Sequence, residues 1–93
     1  MDPQAGPVMT AATVALVFFG WTSRTLNIKL NQVKDEYDIP FTENGRNIAG
    51  RQFTLYDVER ITRLFLNRGI IEYRRFYGAV QILTWMARNH DLI

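Results

Sequence analysis

The apolar positions fall into four blocks separated by polar breaks; the first is almost continuously apolar and the other three have helical rather than alternating periodicity. The first runs from Ala11 to Trp21 and is apolar almost throughout. It predicts a buried helix, with Thr10 as its N-cap and Gly20 as the residue that stops it. At about 11 residues it is too short for a membrane span, which needs about 20. The stretch before it carries Asp2 and no lysine or arginine, which disfavours a secretory signal.

Thr22 and Ser23 are both competent caps for a second helix from Arg24 to about Tyr37. Leu26, Leu30, Val33 and Tyr37 recur at spacings of four, three and four, which lays one stripe along the inner face. At about 100° per residue, Arg24, Asn27, Ile28 and Asn31 fall on the opposite face. That face is polar without being strongly charged, as a groove-reading helix requires and as an ordinary solvated face also allows.

Between Asp38 and Gln52 the periodicity breaks. Pro40, Gly45, Gly50 and two asparagines surround the isolated apolar anchors Phe41, Ile48 and Phe53, predicting a loop or small hairpin. Thr54 opens a third helix with Asp57 three residues on, a shortened capping box. Its apolar side is Val58, Ile61, Leu64, Phe65 and Leu66, and it ends over Asn67 to Gly69. A fourth helix spans Glu72 to Asn89 with two adjacent stripes, Phe76, Val80, Leu83, Ala87 and Ala79, Ile82, Met86. One small core hardly covers both. The second stripe therefore either packs under the first helix or serves self-association, as a homodimer or a cooperative array. Residues 1–9, with two prolines and a glycine, read as a flexible N-terminal arm, which leaves one domain at 10–93.

Composition narrows the chemistry. With 93 residues, 47% hydrophobic and 22% charged, the chain is of single-domain size and globular in make-up. It has no cysteine and one histidine, which removes disulfides, thiol catalysis and Cys-based zinc sites and leaves little for a triad or a His-rich metal centre. No cofactor is expected, and an enzyme is the reading favoured least. Asp35, Glu36 and Asp38 are the one carboxylate cluster with suitable spacing, but nothing accompanies them, so they read as a soluble helix end. His90 reads as a cap or surface residue. Of the 11 basic residues only Lys29 and Lys34 are lysines. An arginine fork suits phosphates and guanine edges. From Asn44 to Arg75 seven arginines face three acids, a local excess of four positive charges.

The run Leu16-Val17-Phe18-Phe19-Gly20-Trp21-Thr22-Ser23-Arg24-Thr25-Leu26 has the parts of a helix-turn-helix: a left-handed glycine, a hydrophobic plug at Trp21, a cap at Thr22 and a first core contact at Leu26. An ordinary helical corner uses the same parts. Gly20-Trp21-Thr22-Ser23-Arg24-Thr25-Leu26 resembles the Gly-Val-Ser-x-Arg-Thr-Leu run of MerR-like winged helix domains, a superfamily that includes small phage excisionases and single-domain regulators. Gly50-Arg51-Gln52-Phe53-Thr54-Leu55-Tyr56-Asp57-Val58-Glu59-Arg60-Ile61 is similar to that family's wing exit and following helix. The two blocks stand in the family's order and cover about residues 10 to 68.

The resemblance implies a mostly α winged helix-turn-helix, about four helices with a small β-hairpin wing, that binds double-stranded DNA as a transcriptional regulator. Thr22, Ser23, Arg24, Asn27, Ile28 and Asn31 would meet the major groove, and Arg46 and Arg51 would grip the backbone through the wing. The expected setting is the cytoplasm, at the nucleoid, with no membrane association. Asn27-Ile28-Lys29 departs from the family's Arg-x-Tyr, the loop from Asp38 to Gly50 is long, and Trp21 replaces a smaller aliphatic. Members that sense metals or drugs carry a dimerising helix and an effector domain after this module; these 93 residues hold neither, so effector sensing is not expected. Two other readings stay open: an excisionase-like accessory factor that bends DNA, and a protein-interaction module docking through the fourth helix. Several polar residues also have plain explanations: Glu59 and Arg63 as an i, i+4 pair, and Asn44 and Asn47 as turn formers; Arg74 and Arg75 either hold phosphate or form a surface flank of the fourth helix, the flank being favoured.

Overall fold

A computed structural model describes residues 8–36 and 52–89. Val8–Thr10 forms strand β1, followed at once by helix α1, Ala11–Val14, which continues into a π-helical turn over Ala15–Phe19. Then come α2 (Ser23–Gln32), β2 (Gln52–Thr54), α3 (Leu55–Asn67) and α4 (Tyr73–Arg88). The described chain is mostly helical, with one small two-stranded antiparallel sheet.

That sheet sets the frame. β1 and β2 pair with Val8 opposite Thr54, Met9 opposite Phe53 and Thr10 opposite Gln52. Successive side chains of a strand point to opposite faces, and the middle pair, Met9 and Phe53, faces the core. Val8 and Met9, which the composition assigns to a flexible arm, therefore lie in a strand. The partner strand lies beyond α2, and it supplies the pairing that a three-residue segment cannot find locally. Because the strands run oppositely, α1 and α3 leave the ribbon from opposite ends.

Both departures are capped by threonine. The Thr13 N–H donates to Thr10 Oγ1 at 3.2 Å. At α3 the capping box is complete: the Asp57 N–H donates to Thr54 Oγ1 at 3.1 Å, and the Thr54 N–H donates to Asp57 Oδ2 at 2.9 Å. Asp57 is thereby a buried carboxylate held by a backbone donor, next to the positive end of the α3 dipole. α3 ends with Arg68 as its C-cap and Gly69 at φ 73°, as expected.

The core gathers one face from every helix. Phe18 and Phe19, Leu26, Leu30 and Val33, Phe53, and Val58, Ile61 and Phe65 are all fully or almost fully buried. Each such aliphatic or aromatic side chain contributes about 1.5–3 kcal/mol on leaving water. α4 supplies Ala79, 1% exposed, and Leu83, with Phe76, Ile82 and Met86 half-buried against the same cluster. The second stripe of α4 thus packs against the first helix and the core. Ala79 is buried in this packing, and Ile82 and Met86 are half-buried in it. The first stripe is divided: Leu83 is buried and Phe76 half-buried against the core, while Val80 and Ala87 line an open groove between α3 and α4.

α2 is shorter than its periodicity predicts. It stops at Gln32, and residues 33–36 form a turn in which the Glu36 N–H donates to the Val33 carbonyl at 2.9 Å. Val33 remains buried, so the stripe outlasts the helix by one residue. Tyr37, expected to extend it, lies outside the described residues.

Candidate nucleic-acid interface

The corner between the first helix and α2 is built from three interlocking features. Gly20 adopts φ 68°, ψ 29°, the left-handed conformation that an L side chain resists. The Gly20 N–H donates to the Leu16 carbonyl at 3.1 Å and the Trp21 N–H to the Ala15 carbonyl at 2.9 Å, which closes the π-helical turn. π turns of this kind insert a residue and re-aim the chain that leaves them. The third feature is aromatic. The Trp21 ring stacks on Phe19 with centroids 4.9 Å apart and lies 5.9 Å from Phe65, which itself sits 5.5 Å from Phe19. This three-ring cluster pins the corner to α3, the role the sequence predicts for a plug at Trp21.

Thr22 then caps α2. The Thr25 N–H donates to Thr22 Oγ1 at 3.2 Å, and the two threonine hydroxyls lie 3.2 Å apart. Of the two candidate caps, Thr22 is the one used. Ser23, free of that duty, becomes the first helical residue, and Thr22, Ser23 and Arg24 are all exposed. Arg24 forms no ion pair among the described residues. Ile28, one turn on, is 49% exposed although it is aliphatic.

The two asparagines on this face behave differently. Both are only half-exposed. The Asn31 side-chain amide donates to the backbone carbonyl of Asn27 at 2.9 Å, so it is folded back along its own helix. Asn27 Oδ1 is buried with no hydrogen-bond partner among the described residues. The outward face of α2 is therefore Ser23, Arg24 and Ile28, with Asn27 and Asn31 at its margins. Arg46 and Arg51, the expected wing arginines, lie outside the described residues, as do His90, Asn44 and Asn47.

The far end of α2 has the opposite electrostatic character. Asp35 and Glu36 cluster there, and Arg68 reaches across from the end of α3 to hold them. Its guanidinium lies 2.8 Å from Glu36 and 3.4 Å from Asp35, and it donates to the Gln32 carbonyl at 3.2 Å. Attraction to Glu36, reinforced by Asp35, raises the pKa of Arg68 above its ordinary value. The carboxylates that read as a free helix end in the sequence are a receptor for this arginine.

The other arginines of the described chain divide clearly. Arg63 donates to Glu59 at 2.7 Å, the i, i+4 pair expected. Arg60 lies over the Tyr56 ring, 5.6 Å from its centroid. At the start of α4, Arg75 approaches the corner itself: a methyl group at Gly20 would stand 3.5 Å from one terminal nitrogen of its guanidinium. No sequence pattern indicates this approach, since Gly20 and Arg75 are joined only by the packing of α4 on the first helix. Among the described residues, no group of three His, Cys, Asp or Glu could hold a metal ion, and no helix is long and apolar enough to cross a membrane.

Compared with protein-family models, with curated proteins and with solved structures, the chain matches none.

Proposed function

We propose that this chain is a winged helix-turn-helix protein that binds double-stranded DNA with sequence preference and regulates transcription, using α2 as its recognition helix. The observation that carries the reading is the α2 corner. Gly20 and the Phe19–Trp21–Phe65 cluster fix the helix by its inner face, while Ser23, Arg24 and Ile28 stand in solvent on the first turns of the outer one. A recognition helix meets base edges through residues near its N-terminal end, and the N-terminal amides of that end favour phosphate.

Charge placement agrees with that orientation. Arg24 lies at the end that would enter the groove, and Asp35 and Glu36 lie at the other, paired with Arg68. An arginine fork can take guanine O6 and N7 together, and an aliphatic side chain such as Ile28 suits a thymine methyl. The regulator acts by occluding or recruiting at its site and performs no chemistry on the DNA.

Selection of bound duplexes from a random pool at two salt concentrations tests this. The expected result is an enriched motif with the wild-type chain, lost with Arg24→Ala, and a fall in total binding at the higher salt. Recovery of unenriched DNA, with retention independent of salt, would overturn the reading.

A further inference from the structure

We infer that Arg74 and Arg75 form a DNA-phosphate site beside the helix-turn-helix corner, so that the backbone is gripped from α4 as well as met by α2. The inference rests on the DNA-binding reading above. It starts from the division among the described arginines. Arg63 and Arg68 are ion-paired and Arg60 lies over Tyr56, so these three are engaged with their own chain. Arg24, Arg74, Arg75 and Arg88 are exposed and form no ion pair among the described residues.

Three of these four lie at or near one corner. Arg75 is placed there by contact, because its guanidinium lies against Gly20, whose backbone leads through Trp21 to the cap of α2. Thr22 is two residues from Gly20 and so at most about 7 Å from it along the chain. The guanidinium is therefore within about 12 Å of the start of α2. One strand of duplex DNA offers a phosphate about every 3.4 Å of helix axis. A recognition helix seated by its N-terminal end would bring a neighbouring phosphate of the same stretch within reach of Arg75.

The surroundings suit an anion at the surface. Arg74 and Arg75 border a depression of about 440 Å³ whose apolar lining includes Val17, Phe18 and Ile82. Glu72 is the one acid along it, and it forms no ion pair with either arginine. Gly20 leaves the approach open, since even a Cβ in its place would stand 3.5 Å from the Arg75 guanidinium, an ordinary contact distance. Arg88, at the other end of α4, lies about 20 Å away along the helix and provides an internal control.

The experiment is fluorescence anisotropy with a labelled 30-base-pair duplex of random sequence, titrated at several salt concentrations against the wild type, R74A/R75A, R74K/R75K and R88A. The double alanine variant is expected to bind about 10–30-fold more weakly near physiological salt, with a log–log salt slope shallower by about 1–2, since each phosphate contact contributes about 0.9. R74K/R75K is expected to keep most of the slope, and R88A all of it. Wild-type affinity and slope in R74A/R75A, an equal loss in R88A, or a lysine variant as weak as the alanine one would each overturn the site while leaving the α2 reading intact. Failure of the wild type to bind this duplex in a salt-dependent way would overturn both. Far-ultraviolet circular dichroism of each variant reports folding separately.

Discussion

Arg68 bridges the ends of two helices: from the C-cap of α3 its guanidinium lies 2.8 Å from the Glu36 carboxylate in the turn after α2, and it also donates to the last carbonyl of that helix, at Gln32. The contact lies where α2 stops. A carbonyl at a helix end needs a partner, and Arg68 provides one while pairing with the two acids beyond it. The side chain is about one-third exposed, so salt screens the pair. Arg68→Ala should speed amide exchange at Val33 and Glu36 and lower the unfolding midpoint slightly, with the difference shrinking in 0.5 M salt. The pH dependence has a definite sign. The folded pKa is raised, so the contribution of Arg68 is complete at every pH below its ordinary value and is lost only as pH rises through the folded one. Wild type and R68A should therefore differ by the same amount at pH 7 and pH 9.

Replacing Trp21 tests the corner. Its ring packs on Phe19 and Phe65 and is only half-buried. Trp21→Ala loses two aromatic contacts, each about 0.5–1.5 kcal/mol, together with apolar burial. The expected cost is about 2–3 kcal/mol, below the usual range for a fully buried tryptophan. Trp21→Phe should recover more than half of it in urea denaturation. An alanine variant as stable as the wild type would mean that the cluster does not hold the corner.

Gly20 acts through its backbone alone. At φ 68° an added Cβ is strained, whereas the nearest atoms it would meet, at 3.5 Å in Arg75, are at ordinary contact distance. Gly20→Ala should cost about 1–2 kcal/mol by the conformational penalty, and Gly20→Asn less, because asparagine tolerates this region better. Equal losses for the two would point to crowding instead.

These features are unequally legible in the sequence. The caps Thr10, Thr22 and Thr54 and the stripe Leu26, Leu30, Val33 depend on residues three or four apart, and local pattern reveals them. β1 does not, because Val8-Met9-Thr10 is too short to show alternation and its partner Gln52–Thr54 lies on the far side of α2. The π turn is hidden for another reason: Ala15 to Phe19 is apolar at every position and so has no phase to read. The continuing stripe predicts that α2 runs on to Tyr37, whereas a tertiary contact from Arg68 coincides with its end. On the outer face, the wheel places Arg24, Asn27, Ile28 and Asn31 together, but a wheel cannot see Asn31 turning back to a carbonyl of its own helix.

The cap of α3 is open to a sharper test because both halves of the capping box are present. Thr54→Ala removes the acceptor for the Asp57 N–H and should cost about 1 kcal/mol. Thr54→Ser keeps the oxygen and should cost much less. Since β2 ends at Thr54, the alanine variant should also raise exchange at Met9 and Phe53, which pair across the ribbon.

The asparagines and Ile28 separate a reading face from a merely polar one. Asn31 is tied to the Asn27 carbonyl and Asn27 Oδ1 is buried, whereas Arg24 is exposed and Ile28 is 49% exposed. If α2 reads a groove, discrimination between a selected site and its single-base variants should reside in Arg24 and Ile28. Arg24→Ala should reduce that discrimination by about 1–3 kcal/mol at one base pair. Ile28→Ala should weaken a preference for a thymine methyl while leaving nonspecific affinity unchanged. Asn31→Ala should instead change the fraying of α2 and leave the base preference as it was. The reverse pattern, with preference lost at Asn31 and kept at Arg24 and Ile28, would mean that α2 rotates about its axis on binding and that its free-state outer face is not the one presented to DNA.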